Sequence, residues 1–171
     1  ATQPPMRGNR VGIMTNSGGP STTIAYTSDS VGLQVPRFSD ELQKEIRKYI
    51  EPYASAANPI DMTFDLRMEN LTVTLPELMI KSGEVDAIVL HGVMMTGYMR
   101  EVYPNLKEMA GNISLEEFLK YSQPVVQGAF ELPHKYKMPL LISTFFDWED
   151  NYMTGYRDTN TPIFYCPEDT A

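Results

Sequence analysis

The sequence predicts an α/β fold: a doubly wound parallel sheet of about five strands with helices on both faces. Three observations lead there. Short β-favouring runs alternate with helix-length segments along the chain. Two of the runs, Asp86 to Leu90 (DAIVL) and Pro139 to Phe145 (PLLISTF), are apolar without the alternation of a half-exposed strand. Glycine and proline punctuate the joins. A strand that is apolar on both sides has to be covered on both faces, which is the situation inside a parallel sheet flanked by helices.

The elements follow in order. Residues 1–9, ATQPPMRGN, carry two prolines and a glycine without periodicity and read as a linker or leader; residues 10–171 read as one domain, expected to be a fragment of a longer chain. Val11 to Thr15 is a strand that runs into a turn, Asn16-Ser17-Gly18-Gly19. Pro20 suits the first position of a helix, where its missing N–H is no loss, and Gly32 suits a left-handed terminator, so a helix is expected over Pro20 to Val31 with Ile24, Ser28 and Val31 inward. After an extended piece, Leu33 to Pro36, Ser39 caps a helix over Asp40 to Tyr49 with Leu42, Ile46 and Ile50 on one face. A proline-bearing connection, Ala56 to Asp61, leads to a helix over Leu71 to Lys81, with Leu71, Leu75, Leu78 and Met79 inward, Pro76 in its first turn or kinking it, and Gly83 as its stop. The strand DAIVL is next. Ser114 and Glu117 form a capping box for a helix carrying Leu115, Phe118 and Phe130 and interrupted by Pro124. PLLISTF follows, then a short helix over Trp148 to Tyr156 and a last strand at Pro162 to Tyr165. Short parallel strands in this number select the flavodoxin-like type.

Composition narrows the function. The 171 residues, 42% hydrophobic and 11% aromatic, suffice for one core. Fourteen Lys and Arg against 22 Asp and Glu give a net charge of −8, the wrong sign for nucleic acid or an anionic bilayer. No apolar run reaches the roughly 18 residues of a membrane span. A single cysteine, Cys166, and two histidines, His91 and His134, argue against a disulfide framework and a dedicated metal site, so a cytoplasmic protein without nucleic-acid or membrane partners is expected.

The turn Asn16-Ser17-Gly18-Gly19-Pro20 carries the most chemistry. It lies at the carboxyl end of the first strand, where ligands gather in open α/β sheets. Two glycines let the backbone approach a ligand and leave amide N–H groups at a helix start, which carries about half a positive charge. The first acid of that helix is Asp29, near its far end, so an anion fits; a tight turn without a ligand is the other reading. The Lys of a Walker loop and the spacing G-x-G-x-x-G are both missing.

Val11 to Pro20 (VGIMTNSGGP), Val31-Gly32-Leu33, Val35-Pro36 and Ala57-Asn58-Pro59-Ile60-Asp61, with the closing PIFYCPEDTA, resemble in order and spacing the NDP-forming acyl-CoA synthetases of the acetyl-CoA and succinyl-CoA synthetase superfamily. The resemblance runs over nearly the whole chain, and its specific motifs surround Asn16 and Asn58. It implies the flavodoxin-like ligase domain of an enzyme that interconverts acid, CoA and NTP with acyl-CoA, NDP and phosphate through an acyl phosphate and a phosphohistidine. It further implies a CoA-binding and phosphohistidine-bearing domain and an ATP-grasp domain or subunit as partners, with oligomerisation open. CoA, nucleotide and Mg would belong to the parent enzyme, with no cofactor bound by this domain alone. In that family two helix N-termini face the phosphohistidine; carried over, Asn16, Ser17, Gly18, Gly19 and Pro20 form one of them, and Asn58, Pro59 and Asp61 lie beside it.

The chain departs from the family at Ser21 and Tyr26, where Gly and Asp are usual. Neither histidine stands in the Ser-His-Thr-Gly context of the phosphorylated residue, so no catalytic residue is expected in this chain. The departures favour an alternative, a catalytically degenerate interaction or regulatory module of the same fold. His91, after DAIVL, is a candidate phosphate contact or, more simply, a hydrogen-bonded structural histidine. Asp147, Glu149 and Asp150 read as solvated carboxylates before cation ligands, Met94 and Met95 as packing, His134 as a surface residue, and Cys166 as inert.

Overall fold

The computed structural model describes residues 3–63, 65, 67, 69–92, 100, 103–109, 111–118, 131–145 and 160–170. Its centre is a five-stranded parallel sheet in the order β2-β1-β3-β4-β5, built from β1 (Val11–Thr15), β2 (Ile60–Asp61), β3 (Ala87–His91), β4 (Leu140–Ser143) and β5 (Ile163–Phe164). The chain leaves β1 toward β2 on one side and returns to β3 on the other, so the order reverses between β1 and β3. The expected α/β doubly wound fold is the one observed.

Alternation along β1, β3 and β4 divides the core. Val11, Ile13 and Val89 pack with Ile24 of α1 (Gly18–Ser30), joined by Leu33, Val35 and Leu141. Met14, Ile88, Leu90, Leu140 and Ile142 face the opposite way, against Leu42 and Ile46 of α2 (Asp40–Ile46), Leu71, and Leu75 and Met79 of α3 (Leu75–Ser82). Every residue of β1 and β3 is buried, as their apolar runs require.

Several boundaries differ from the sequence reading. The helix α1 starts at Gly18, two residues before Pro20, which occupies its third position; the first four N–H groups of a helix have no intrahelical acceptor, so proline is tolerated there too. Its end is a Schellman arrangement: Gly32, at φ +89°, donates to the Asp29 carbonyl at 3.0 Å and Leu33 donates to Ser28 at 2.9 Å. Val31 follows the helix and is 59% exposed, so the inward face is Ser21, Ile24 and Ser28. The helix α2 stops at Ile46, although Ile50 is buried as expected. The segment Asn70–Thr74 is a π-helical turn that runs into α3, where Pro76 sits in the first turn and Gly83, at φ +72°, ends the helix. A proline lacks the donor for the carbonyl four residues earlier, and a widened turn before it accommodates that loss.

The edge strand β2 falls inside the segment read as a connection, whereas Leu33 to Pro36 contributes only a bridge between Gln34 and Arg10. Three residues of the leading segment have partners in the fold: the side-chain oxygen of Gln3 accepts from Leu140 N at 3.2 Å, Asn9 O accepts from Gln34 N at 2.8 Å, and Met6 packs beside Val11 and Ile24. Ser114 and Glu117 make the reciprocal capping box, with Glu117 N donating to Ser114 Oγ at 3.2 Å and Ser114 N to Glu117 Oε2 at 2.9 Å. The rest of that helix to Phe130, Met94 and Met95, and the acidic segment with the helix expected after it lie outside the described residues.

Candidate functional site

The carboxyl ends of β1 and β3 adjoin at the reversal point of the sheet, and α1 begins there. Ser17 is the N-cap residue in extended conformation; its side chain caps nothing, and no acid lies in the first turn. The turn is held from below: Thr15, fully buried, donates its hydroxyl to Ser17 O at 2.8 Å and accepts from Ser17 N at 3.3 Å. Ser21 Oγ donates to Gly18 O at 2.7 Å. The N–H groups of Gly18 and Gly19 have no acceptor among the described residues. Half-buried Gly18 and exposed Gly19 therefore present two free donors at the positive end of a 13-residue helix.

The other residues expected at the site have distinct places. Asn16 is 2% exposed, and its Nδ2 is buried without an acceptor among the described residues. Its carboxamide lies against Gly92, the residue after β3, whose φ of +79° and lack of a side chain make room for it. Asn58, which precedes a cis peptide to Pro59, turns its carboxamide to the sheet: Nδ2 donates to Val11 O at 2.7 Å and Oδ1 accepts from Ile13 N at 2.9 Å. It thus continues the pairing of β1 where β2 is too short to do so. Asp61 ends β2; its Oδ1 accepts from Thr63 N at 2.8 Å, while its Oδ2 stands 2.9 Å from where a Cβ on Gly18 would be. A carboxylate thus faces the start of α1.

Register extends this end of the sheet. Asp61, Thr15, His91, Ser143 and Phe164 stand opposite one another across all five strands. His91 is 2% exposed, with Nδ1 2.9 Å from Ser143 Oγ and its ring edge-on to Phe145 at a centroid distance of 4.8 Å. Burial disfavours the imidazolium and pushes its pKa down to about 4, so His91 is neutral near pH 7. The hydrogen bond to Ser143 gives His91 a structural place in the sheet. Sequence reasoning misses Thr15, Gly92 and Ser143 at this end; the only signal for Gly92 is a glycine directly after a buried strand.

An open groove of about 520 Å³ runs from Gly18 along Ser21, Ala25 and Tyr26 of α1, with Pro59 and Asp61 on its other wall. Tyr26 is 77% exposed there. Ser21 and Tyr26, the two departures in the α1 motif, therefore line the same groove.

A doubly wound α/β domain with a glycine-led helix start at its reversal point belongs to the class that binds ligands beyond its strand ends. Within that class, the chain is 36% identical over 95 residues to the alpha subunit of an ADP-forming acetate–CoA ligase II from Pyrococcus furiosus. The match takes in 56% of this chain and 21% of that protein. No family model matches the chain. The fold aligns with a crystal structure from Pyrococcus horikoshii (TM-score 0.72, 21% identity, 99% of this chain and 35% of that one). It also aligns with the dinucleotide-forming acetyl-coenzyme A synthetase 1 of Ca. Korarchaeum cryptofilum in its apo form (TM-score 0.65, 21% identity, 98% of this chain and 32% of that one). The chain thus spans about a fifth of the curated relative and about a third of the solved structures, and its resemblance to the NDP-forming acyl-CoA synthetases, read from the motifs, is borne out. No helix among the described residues is long and apolar enough to cross a membrane.

Proposed function

We propose that this chain is the ligase domain of an NDP-forming acyl-CoA synthetase-like protein and that the start of α1 stabilises the phosphoryl group of a phosphohistidine brought by a neighbouring domain. The observation that carries this is the pair of N–H groups on Gly18 and Gly19, without acceptors among the described residues, at the positive end of α1. Donors fixed before charge arrives need no reorganisation when it does, which is how such a helix start would lower the energy of a phosphorylated state. Asn16, Ser17 and Pro20 complete the turn, and Asn58, Pro59 and Asp61 flank it. CoA, nucleotide, Mg and the phosphorylated histidine would come from the other domains, in a cytoplasmic enzyme. The test is a titration with phosphate and with N-phosphorylated imidazole, following the backbone amide signals. Gly18 and Gly19 should shift most, and shifts elsewhere that leave them unmoved would refute the reading.

A second reading has its own support. Asp61 beside Gly18 places a negative charge where the anion would sit, and Tyr26 stands where the family has Asp. Both suit a catalytically degenerate module that uses the groove for protein contact. The two readings separate on the parent polypeptide: an adjoining phosphorylatable histidine and ATP-grasp domain favour the enzyme.

A further inference from the structure

The groove along α1 is lined by groups of one hydrogen-bonding sense. Ser21 Oγ and Thr22 Oγ1 both donate to Gly18 O, at 2.7 and 3.0 Å, and Ser55 Oγ donates to Pro59 O at 3.2 Å. A hydroxyl has one proton, so these three lining groups keep only lone pairs for a ligand. Asp61 adds a carboxylate: Oδ1 accepts from Thr63 N, while Oδ2, toward Gly18, has no donor among the described residues. Among the described residues of the lining, only Tyr26 keeps a side-chain proton uncommitted, and its ring, 77% exposed, stands at the end of the groove away from Gly18. The N–H groups of the α1 start point along the helix axis, so they mark the groove's other end and not its wall. The pole they form is about half a charge, against the full charge of Asp61.

We infer that this groove takes an arginine side chain from a protein partner. A guanidinium carries five N–H donors and no acceptor, the converse of this lining, and its flat face stacks on an aromatic ring. Asp61 Oδ2 would pair with its charge, the hydroxyl oxygens would accept from its other N–H groups, and Tyr26 would cover its face. A lysine ammonium, a point charge with three donors, suits such a spread of acceptors less well. A chain of net charge −8 draws a cationic partner in from a distance. The groove is open, so a free cation would stay hydrated in it, whereas a side chain arrives with a surface that closes it. This deepens the reading of the groove as a protein-contact surface and rests on it; whether the α1 start holds a phosphoryl group is a separate matter.

The experiment follows the backbone amide signals of the 171-residue chain during titration with the peptide acetyl-Ala-Arg-Ala-amide and with its citrulline counterpart, which keeps the shape and loses the charge. The arginine peptide should shift Ser21, Tyr26, Ser55 and Asp61 most and bind about tenfold more tightly than the citrulline peptide, the size of one charged hydrogen bond. Asp61→Asn keeps an oxygen for Thr63 N and loses the charge, so the preference should fall to about twofold or less. Tyr26→Ala, at an exposed position, should weaken the arginine peptide about threefold, and Tyr26→Phe, which keeps the ring, should bind it as wild type does. Far-UV circular dichroism checks that each variant is folded. Equal binding of the two peptides in the groove, or an unchanged preference in Asp61→Asn, overturns the arginine assignment and leaves the contact surface standing. Shifts of equal size at exposed acids elsewhere, such as Asp40 and Glu41, mark attraction by net charge alone and overturn it too. Failure of both peptides to move the groove amides overturns the arginine site together with the contact reading, while the phosphate titration of Gly18 and Gly19 is read separately.

Discussion

A Cβ built on Gly92 would fall on Oδ1 of Asn16 and stand 2.9 Å from its Cγ, so the residue after β3 and the residue after β1 share one space. The two lie 76 positions apart in sequence (92 − 16) and meet only because β1 and β3 are neighbours. Gly92→Ala should therefore destabilise the fold by about 2–4 kcal/mol, combining a left-handed backbone with overpacking. Asn16→Ala in the same chain removes the overlap and leaves only the backbone cost, about 1 kcal/mol. Urea denaturation of the single and double variants measures the coupling, which additive effects would disprove.

The two glycines of the α1 start should respond differently. A Cβ on Gly18 would meet Asp61 Oδ2 at 2.9 Å, whereas one on Gly19 meets nothing within 4 Å. Gly19→Ala is expected to stabilise by up to about 1 kcal/mol through helix propensity, while Gly18→Ala loses that gain by displacing the carboxylate. Thermal unfolding of the two variants checks the order.

Asn58→Ala should cost about 2–3 kcal/mol, because it leaves both Val11 O and Ile13 N without partners beside the core. Hydrogen exchange at Ile13 should accelerate in the variant. Asn58→Asp keeps an acceptor for Ile13 but turns a second oxygen on the Val11 carbonyl, so it should not rescue.

Burial lowers the His91 pKa from its ordinary 6.5 to about 4, so the unfolded chain takes up this proton first. The corresponding stability is fully present above pH 6.5 and is lost as pH falls toward about 4. His91→Gln should flatten the pH dependence of unfolding free energy in that window. An unchanged slope would show that the imidazole titrates normally.

Glu77 defines a lower window. The hydroxyl of Tyr136, then the ammonium of Lys135, hold its carboxyl down to about 2, against an ordinary 4.5. Its contribution is present above pH 4.5 and is lost on acidification toward pH 2. Glu77→Gln should remove part of the acid limb of the stability curve, lowering stability above pH 5 while leaving the slope there unchanged.

Local chemistry made much of this architecture legible. Ser39 and the Ser114–Glu117 box show as helix starts, Gly32 and Gly83 as helix ends, and DAIVL and PLLISTF as buried strands, because caps, left-handed glycines and unbroken apolar runs act within a few residues. The glycine turn at the α1 start was legible for the same reason. The strand β2 was not: two residues carry no periodicity, and Ile60–Asp61 is a strand only because β1 lies beside it. Nor was the direction of Asn58, whose carboxamide serves the sheet.

The sequence by itself determined the fold class, the helix start with its free glycine amides, and the likeness to acyl-CoA synthetases, since all three are written in contiguous residues. The resemblance sets Asp61 beside the glycine turn, whereas tertiary structure alone decided that Asn16 rests on Gly92 and that His91 meets Ser143. Each of those pairs joins separate strand ends, and side chains far apart in sequence acquire neighbours only when parallel strands align in register.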